Sequence, residues 1–224
     1  MRRVIKALSC VCILCLACAS SRSATQESST PTVGFDFSFP GSQPDRYAFS
    51  IPGSGDATYS SDGRLTPNSD SDDFRVTFPI SRATRSRIFE LAQKARYFQG
   101  ELDSKKKGLA STGIKTLSYK DSQRQTRASY NYSFIPAVQE LTQIFQGMSA
   151  TLEFGRRLDY YHRYQKLALD DELKRMDEML KQNSVQELTA IAPVLKEIVE
   201  DSSVINPVRA RAQRILARVG GGVQ

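Results

Sequence analysis

Apolar and polar residues alternate through the first half of this chain and fall at helical spacing through the second. Val33, Phe35, Phe37 and Phe39 share one face of an extended segment, and Tyr47, Phe49 and Ile51 share another. Phe74, Val76, Phe78 and Ile80 repeat the pattern. A period of two is what a strand with one buried face requires. Asp62 and Gly63 predict a tight hairpin between Tyr59 and Leu65, because that dipeptide tolerates positive φ. From Ser81 to Gly100 the period becomes helical: Ile88, Leu91, Ala92 and Ala95 fall at i, i+3, i+4 and i+7, with Ser81 or Thr84 as cap and Gly100 as terminator. A second strand pair follows at Ile114 to Lys120 and Thr126 to Phe134, where Ala128, Tyr130, Tyr132 and Phe134 alternate and Asp121 to Arg124 makes the turn.

Pro136 suits a first helical position, and Val138, Leu141, Ile144, Phe145, Met148 and Leu152 form a stripe interrupted at Gly147. A polar, aromatic stretch from Gly155 to Tyr164 leads into a helix at Asp170 to Gln182 with an apolar face of Leu173, Met176, Met179 and Leu180. Ser184 and Glu187 match a capping box for a further helix that buries Leu188, Ile191 and Leu195 and bends near Pro193. Asn206 and Pro207 open a last helix ending at Gly220. The expectation is an α+β fold: a small antiparallel sheet with one packed helix, then an all-helical C-terminal region arranged as a bundle or as HEAT-like helix pairs. The segments are a leader at 1–19, a Ser/Thr-rich linker at 20–32, a sheet domain at 33–134, a helical region at 135–220 and a short tail at 221–224.

The first residues change the picture of where this fold works. Arg2, Arg3 and Lys6 precede an uncharged, mostly apolar run from Ala7 to Ala17, and small residues follow. That order predicts a signal peptide, far shorter than the roughly 20 apolar residues of a membrane-spanning helix. Two processing routes stay open: release after Ala19 at an Ala17, Cys18, Ala19 site, or lipidation at Cys18 in a lipobox-like Leu14 to Cys18 segment. All four cysteines, Cys10, Cys12, Cys15 and Cys18, lie in this run, so the mature body is expected to fold without disulfides in an oxidising compartment. The formal charge of +7 for the 224 residues drops to +4 without Arg2, Arg3 and Lys6. The basic residues are interspersed with acids, so no nucleic-acid partner is expected.

Chemistry-bearing residues are sparse. One histidine, His162, cannot build a zinc site, which needs three or four protein ligands. No G-x-G-x-x-G or G-x-x-x-x-G-K-[ST] occurs, and Gly53, Ser54 and Gly55 lack nucleophile-elbow spacing. Asn68, Asp70, Asp72 and Asp73 resemble the start of a calcium loop but place Asp73 at its sixth position and Pro79 at its twelfth, so they read as a solvated turn. Lys105 to Lys107, beside Gly108, reads as a solvated loop. No catalytic, metal or cofactor residue is assigned. The densest candidate binding patch is Arg156, Arg157, Tyr160, Tyr161, His162, Arg163 and Tyr164, where aromatics and guanidiniums could stack on a glycan, an anion or a protein. The competing and preferred expectation is that Leu158, Tyr161 and Leu167 seat the helix, with Asp159 paired to Arg156 or Arg163.

The order of strands, then a helix ending in Tyr97 and Phe98, then a strand pair, with a helical tail from Phe134 to Val219, is similar to uncharacterised exported bacterial proteins and lipoproteins. That resemblance implies a fold and a compartment and no catalytic residue. The function expected is a non-enzymatic envelope protein that binds or scaffolds a protein or envelope component, touching the membrane only through an anchor at Cys18. A carboxylate-dependent hydrolase of wall or extracellular polymer, and a small-ligand sensor or carrier, are the alternatives.

Overall fold

A computed structural model describes residues 30–66 and 69–221; the leader, Cys18, most of the Ser/Thr-rich linker and Asn68 lie outside them. Six strands, β1 (Thr32–Ser38), β2 (Arg46–Pro52), β3 (Ala57–Ser61), β4 (Phe74–Phe78), β5 (Ile114–Lys120) and β6 (Gln125–Tyr130), form one antiparallel sheet in the order β4-β3-β2-β1-β5-β6. Register aligns the apolar positions. Phe35 stands opposite Phe49 on one side and Leu117 on the other, and Phe49 stands opposite Tyr59. This row is buried on a single face, where each phenylalanine withdrawn from water contributes roughly 2–3 kcal/mol.

Two helices cover that face. α1 (Arg82–Lys94) is capped by Ser81, whose side chain accepts the Thr84 N–H, and buries Ile88, Leu91 and Ala92. α2 (Pro136–Tyr164) starts with proline at its first turn and adds Val138, Leu141, Phe145, Met148 and Leu152 to the same core. Phe35 and Phe145 stack with ring centroids 4.7 Å apart. The α+β architecture with a helical C-terminal region is therefore present, and α2 brings a second helix onto the sheet.

α2 continues unbroken through Gly155 to Tyr164, so the polar, aromatic stretch is helix and no linker. It carries both apolar clusters. Up to Leu152 it packs on the sheet; from Phe154 it packs on α3 (Leu169–Lys181), α4 (Ala192–Glu200) and α5 (Asn206–Gly221) around Leu158, Leu173, Met176, Leu195, Ile198 and Ile215. The two glycines of α2 have a reason in this packing. A Cβ on Gly147 would lie 2.6 Å from Gln186 Cγ, and one on Gly155 would lie 2.4 Å from Ile191 Cγ2. Their bare backbone lets the 185–191 segment lie against the helix, where Gln186 N–H reaches Gly147 O at 3.2 Å and Thr151 Oγ1 donates to Gln186 O at 2.6 Å.

Several local expectations change. α1 stops at Lys94, six residues before Gly100, because Arg96, Tyr97 and Phe98 all take left-handed φ of 54°, 52° and 62°. Left-handed non-glycine residues cost about 1–2 kcal/mol each. Here the turn drives Phe98 into the core and lays Tyr97 against Tyr119 at 4.7 Å and under the Arg124 guanidinium at 4.2 Å. Asp62 and Gly63 form no two-residue hairpin; β3 ends at Ser61, Asp62 pairs with Arg46, and the chain travels to Phe74 before pairing again. β6 ends at Tyr130, leaving Tyr132 and Phe134 exposed. Ser184 and Glu187 make no capping box. Glu187 instead accepts the N–H and hydroxyl of Ser81 and so supports the start of α1. Pro193 sits in the first turn of α4, just after Ile191 breaks helical geometry between the 3-10 turn Leu188–Ile191 and α4.

Candidate functional site

The 156–164 stretch divides between packing and solvent. Arg156 is nearly buried. Its guanidinium lies 4.8 Å from the Phe74 ring and donates to Gly63 O at 3.2 Å and Asp72 Oδ2 at 3.0 Å, which ties α2 to the loop before β4. Arg157 donates to Glu172 Oε1 at 2.7 Å and covers Phe154; Glu172, fully buried, also takes Arg175. Tyr161 is buried and its hydroxyl lies 3.4 Å from Leu65 O. His162 Nε2 is 2.9 Å from Asp201 Oδ2, and Lys166 Nζ reaches the same oxygen at 2.6 Å. Bonds from Lys166, then Ser203, then His162 hold the Asp201 carboxyl below the usual carboxylate range.

These groups join α2 to the loop before β4 and to the following helices. Only Arg163, already paired with Asp159, and Tyr164, 71% exposed, face solvent without such a role, while Tyr160 is half-buried and lies tilted against Tyr164, ring centroids 5.3 Å apart. The seven residues do not converge on one open surface. Leu158 and Tyr161 seat the helix as expected, but Leu167 is 92% exposed and does not.

A different surface gathers polar groups: the face of the sheet that no helix covers. Alternation sends Gly34, Asp36 and Ser38 of β1, Arg46, Ala48 and Ser50 of β2, Thr58 and Ser60 of β3, Arg75 and Thr77 of β4, Thr116 and Ser118 of β5, and Arg127 and Ser129 of β6 to this side. One cross-strand row reads Arg75, Ser60, Ala48, Asp36, Thr116, Ser129. The row is short-chained apart from Asp36 and the terminal Arg75, and it floors an open trough of about 650 Å³ bordered by Arg46, Asp62, Asp73, Arg75 and Arg127. A second trough of about 710 Å³ continues along Gly34, Ser50, Ser118 and Lys120.

Charge on this face is balanced and partly paired. Arg127 donates to Asp36 at 3.3 Å, and Arg46 to Asp62 at 2.8 Å. Desolvation opposes ionisation of Asp62, yet the side-chain and backbone bonds from Arg46 outweigh it and hold that carboxyl below its usual range. Thr116 and Ser129 hydroxyls bond each other at 2.8 Å, leaving a floor of hydroxyls and glycine backbone that can meet donors and acceptors alike. The signal for this face was in the sequence, as the residues between the apolar ones; only the layering tells whether a helix covers them.

The remaining candidates find structural places. Asp72 serves Arg156, and among the described residues no group of three or more histidine, cysteine or acidic side chains is placed to hold a metal. Lys105 pairs with Glu101 in an exposed loop. The buried carboxylate of Glu153 accepts from Tyr59 at 2.9 Å and Ser61 at 2.6 Å beneath Gly63. The chain matches no protein-family model, and a comparison with curated proteins finds no match.

Proposed function

We propose that this chain is an exported envelope protein that acts by binding, with the uncovered face of its sheet as the contact surface. One observation carries the reading: six strands present an open, zwitterionic trough with a short-chained floor and a guanidinium rim. Such a surface complements an extended polar partner, either a protein segment or a wall component, because hydroxyls and ion pairs at fixed spacing set register while the shallow floor admits a chain. The basic-then-apolar leader supports export, with an anchor at Cys18 or release after Ala19 as the two routes. No helix among the described residues is long and apolar enough to cross a membrane.

Both alternatives are less well supported. A general acid needs a raised pKa, and Asp62 is shifted the other way. A carrier needs space between sheet and helices; Phe35, Phe49, Tyr59 and Phe145 fill the centre of that interface, and a hollow of about 310 Å³ is left at its β4 edge, lined by Phe74, Val76, Leu152, Arg156 and Ile191. The test places a photo-crosslinking residue at Ser50 or Ser60 on the open face, and at Gln182 after α3 as control, in cells that export the protein. A discrete adduct from the face positions and none from Gln182 is expected. Equal adducts from all three, or turnover of wall polymer that Asp36→Asn abolishes, refutes the reading.

A further inference from the structure

At the end of the sheet where β5 begins and β6 has ended, four large apolar side chains stand in solvent: Leu109, Ile114 (61% exposed), Tyr132 and Phe134 (59% exposed). The Tyr132 and Phe134 rings meet edge to face at 5.4 Å. The loop bearing the only uninterrupted lysine run is fastened to this end. Ser104 N–H donates to Tyr132 O at 2.8 Å, Asn131 N–H to Asp103 Oδ2 at 2.6 Å, Thr112 N–H to Asn131 Oδ1 at 2.8 Å and Asn131 Nδ2 to Ala110 O at 3.1 Å. The acids of the loop are occupied within it, Glu101 by Lys105 and Asp103 by backbone N–H groups. Lys106 and Lys107 have no ion-pair partner among the described residues. The lysine run and the aromatic pair are thus tied to the same end of the sheet, with Ile114 on its uncovered side and Tyr132 beside α2, where Gln139 Nε2 donates to its hydroxyl at 2.9 Å.

We propose that this end rests on an anionic phospholipid bilayer, with Leu109, Ile114, Tyr132 and Phe134 in the headgroup boundary and Lys106 and Lys107 over lipid phosphates. Charge complementarity selects the occupant. Protein–protein contacts enrich aromatics but deplete lysine, whereas a bilayer interface takes both together, amphipathic rings at headgroup depth and lysines against negative charge. Association of this kind is reversible and adds to any second signal such as a lipid anchor. It orients the sheet and shares one residue, Ile114, with the lining of the trough.

The chain contains no tryptophan, so Phe134→Trp is a silent-background reporter at an exposed position, and Leu167→Trp reports the opposite, helical end. The processed protein is mixed with vesicles of phosphatidylglycerol and phosphatidylcholine, or of phosphatidylcholine alone, with brominated lipid as quencher. Phe134→Trp emission is expected to shift to the blue and be quenched only with anionic vesicles, weakening with salt, while Leu167→Trp stays unchanged. A lipid at Cys18 cannot mimic this, since it does not place one end selectively. Lys106→Ser with Lys107→Ser lowers the affinity about 30-fold, about 1 kcal/mol per lysine. The proposal is overturned by an unshifted Phe134→Trp, by equal quenching of both reporters, by equal response to uncharged vesicles, by unchanged affinity in the lysine variant, or by a vesicle-free shift that grows with protein concentration, which would mark a second copy as the occupant.

Discussion

Replacing Gly155 by alanine separates two opposing effects whose sizes the structure sets. In a solvent-facing helix the change stabilises by about 1 kcal/mol, because glycine is the weaker helix former. Here the added Cβ would stand 2.4 Å from Ile191 Cγ2 and 3.3 Å from its Cβ. Ile191 is buried and branched at that point, so relief requires moving the 188–191 turn off α2. Overpacking of this kind costs about 1–3 kcal/mol, which leaves a net loss of about 1 kcal/mol, or roughly 2–4 °C in Tm for a chain this long. Urea unfolding followed by far-UV circular dichroism measures it. In the cycle with Ile191→Ala, the added methyl becomes tolerable and the two sites couple by about 1–2 kcal/mol. Gly155→Ala stabilising the protein by about 1 kcal/mol, with no coupling to Ile191, would refute the close approach as the reason for glycine.

Tyr161→Ala should cost about 3–4 kcal/mol, as for other buried aromatics, whereas Tyr164→Ala, on the same helix but exposed, should stay within about 0.5 kcal/mol; equal effects would overturn the division of this stretch into packing and surface. Lys115→Met should cost about 1–3 kcal/mol and expose the 104–113 loop to protease, since Lys115 Nζ bonds Thr112 O at 3.0 Å, Gly113 O at 3.1 Å and Asn131 O at 2.9 Å. Burial lowers the Lys115 pKa, so the native state sheds this proton before the unfolded chain does. The desolvation penalty is absent above the ordinary lysine value of about 10.4 and sets in as pH falls through the lowered one. Wild-type stability relative to Lys115→Met should therefore rise with pH across that alkaline window, and parallel curves would count against the assignment.

Much of the fold was legible because its rules are local. Alternation at Val33 to Phe37 and at Tyr47 to Ile51 places strands, since a pleated strand buries every second residue. Ser81 as the cap of α1 and Pro136 at the start of α2 follow from backbone groups that need partners within one turn. Errors arose where a distant contact overrode a local rule. Ser184 and Glu187 have capping-box spacing, yet Glu187 serves Ser81 across the molecule. The 96–98 turn would be helix by propensity, but burying Phe98 requires a left-handed path. The Arg/Tyr patch admitted two readings, with packing preferred, because arginine and tyrosine suit both recognition and packing; Asp72, Glu172 and Asp201, which bond three of its members, come from three other parts of the chain.

Taken alone, the amino-acid order determined the elements and their buried faces, because period and capping are written within a few residues. Which side of the sheet receives α1 and α2, and so which row of hydroxyls and guanidiniums is left in water, was decided only when strands far apart in the chain took their places and long-range burial chose the covered face.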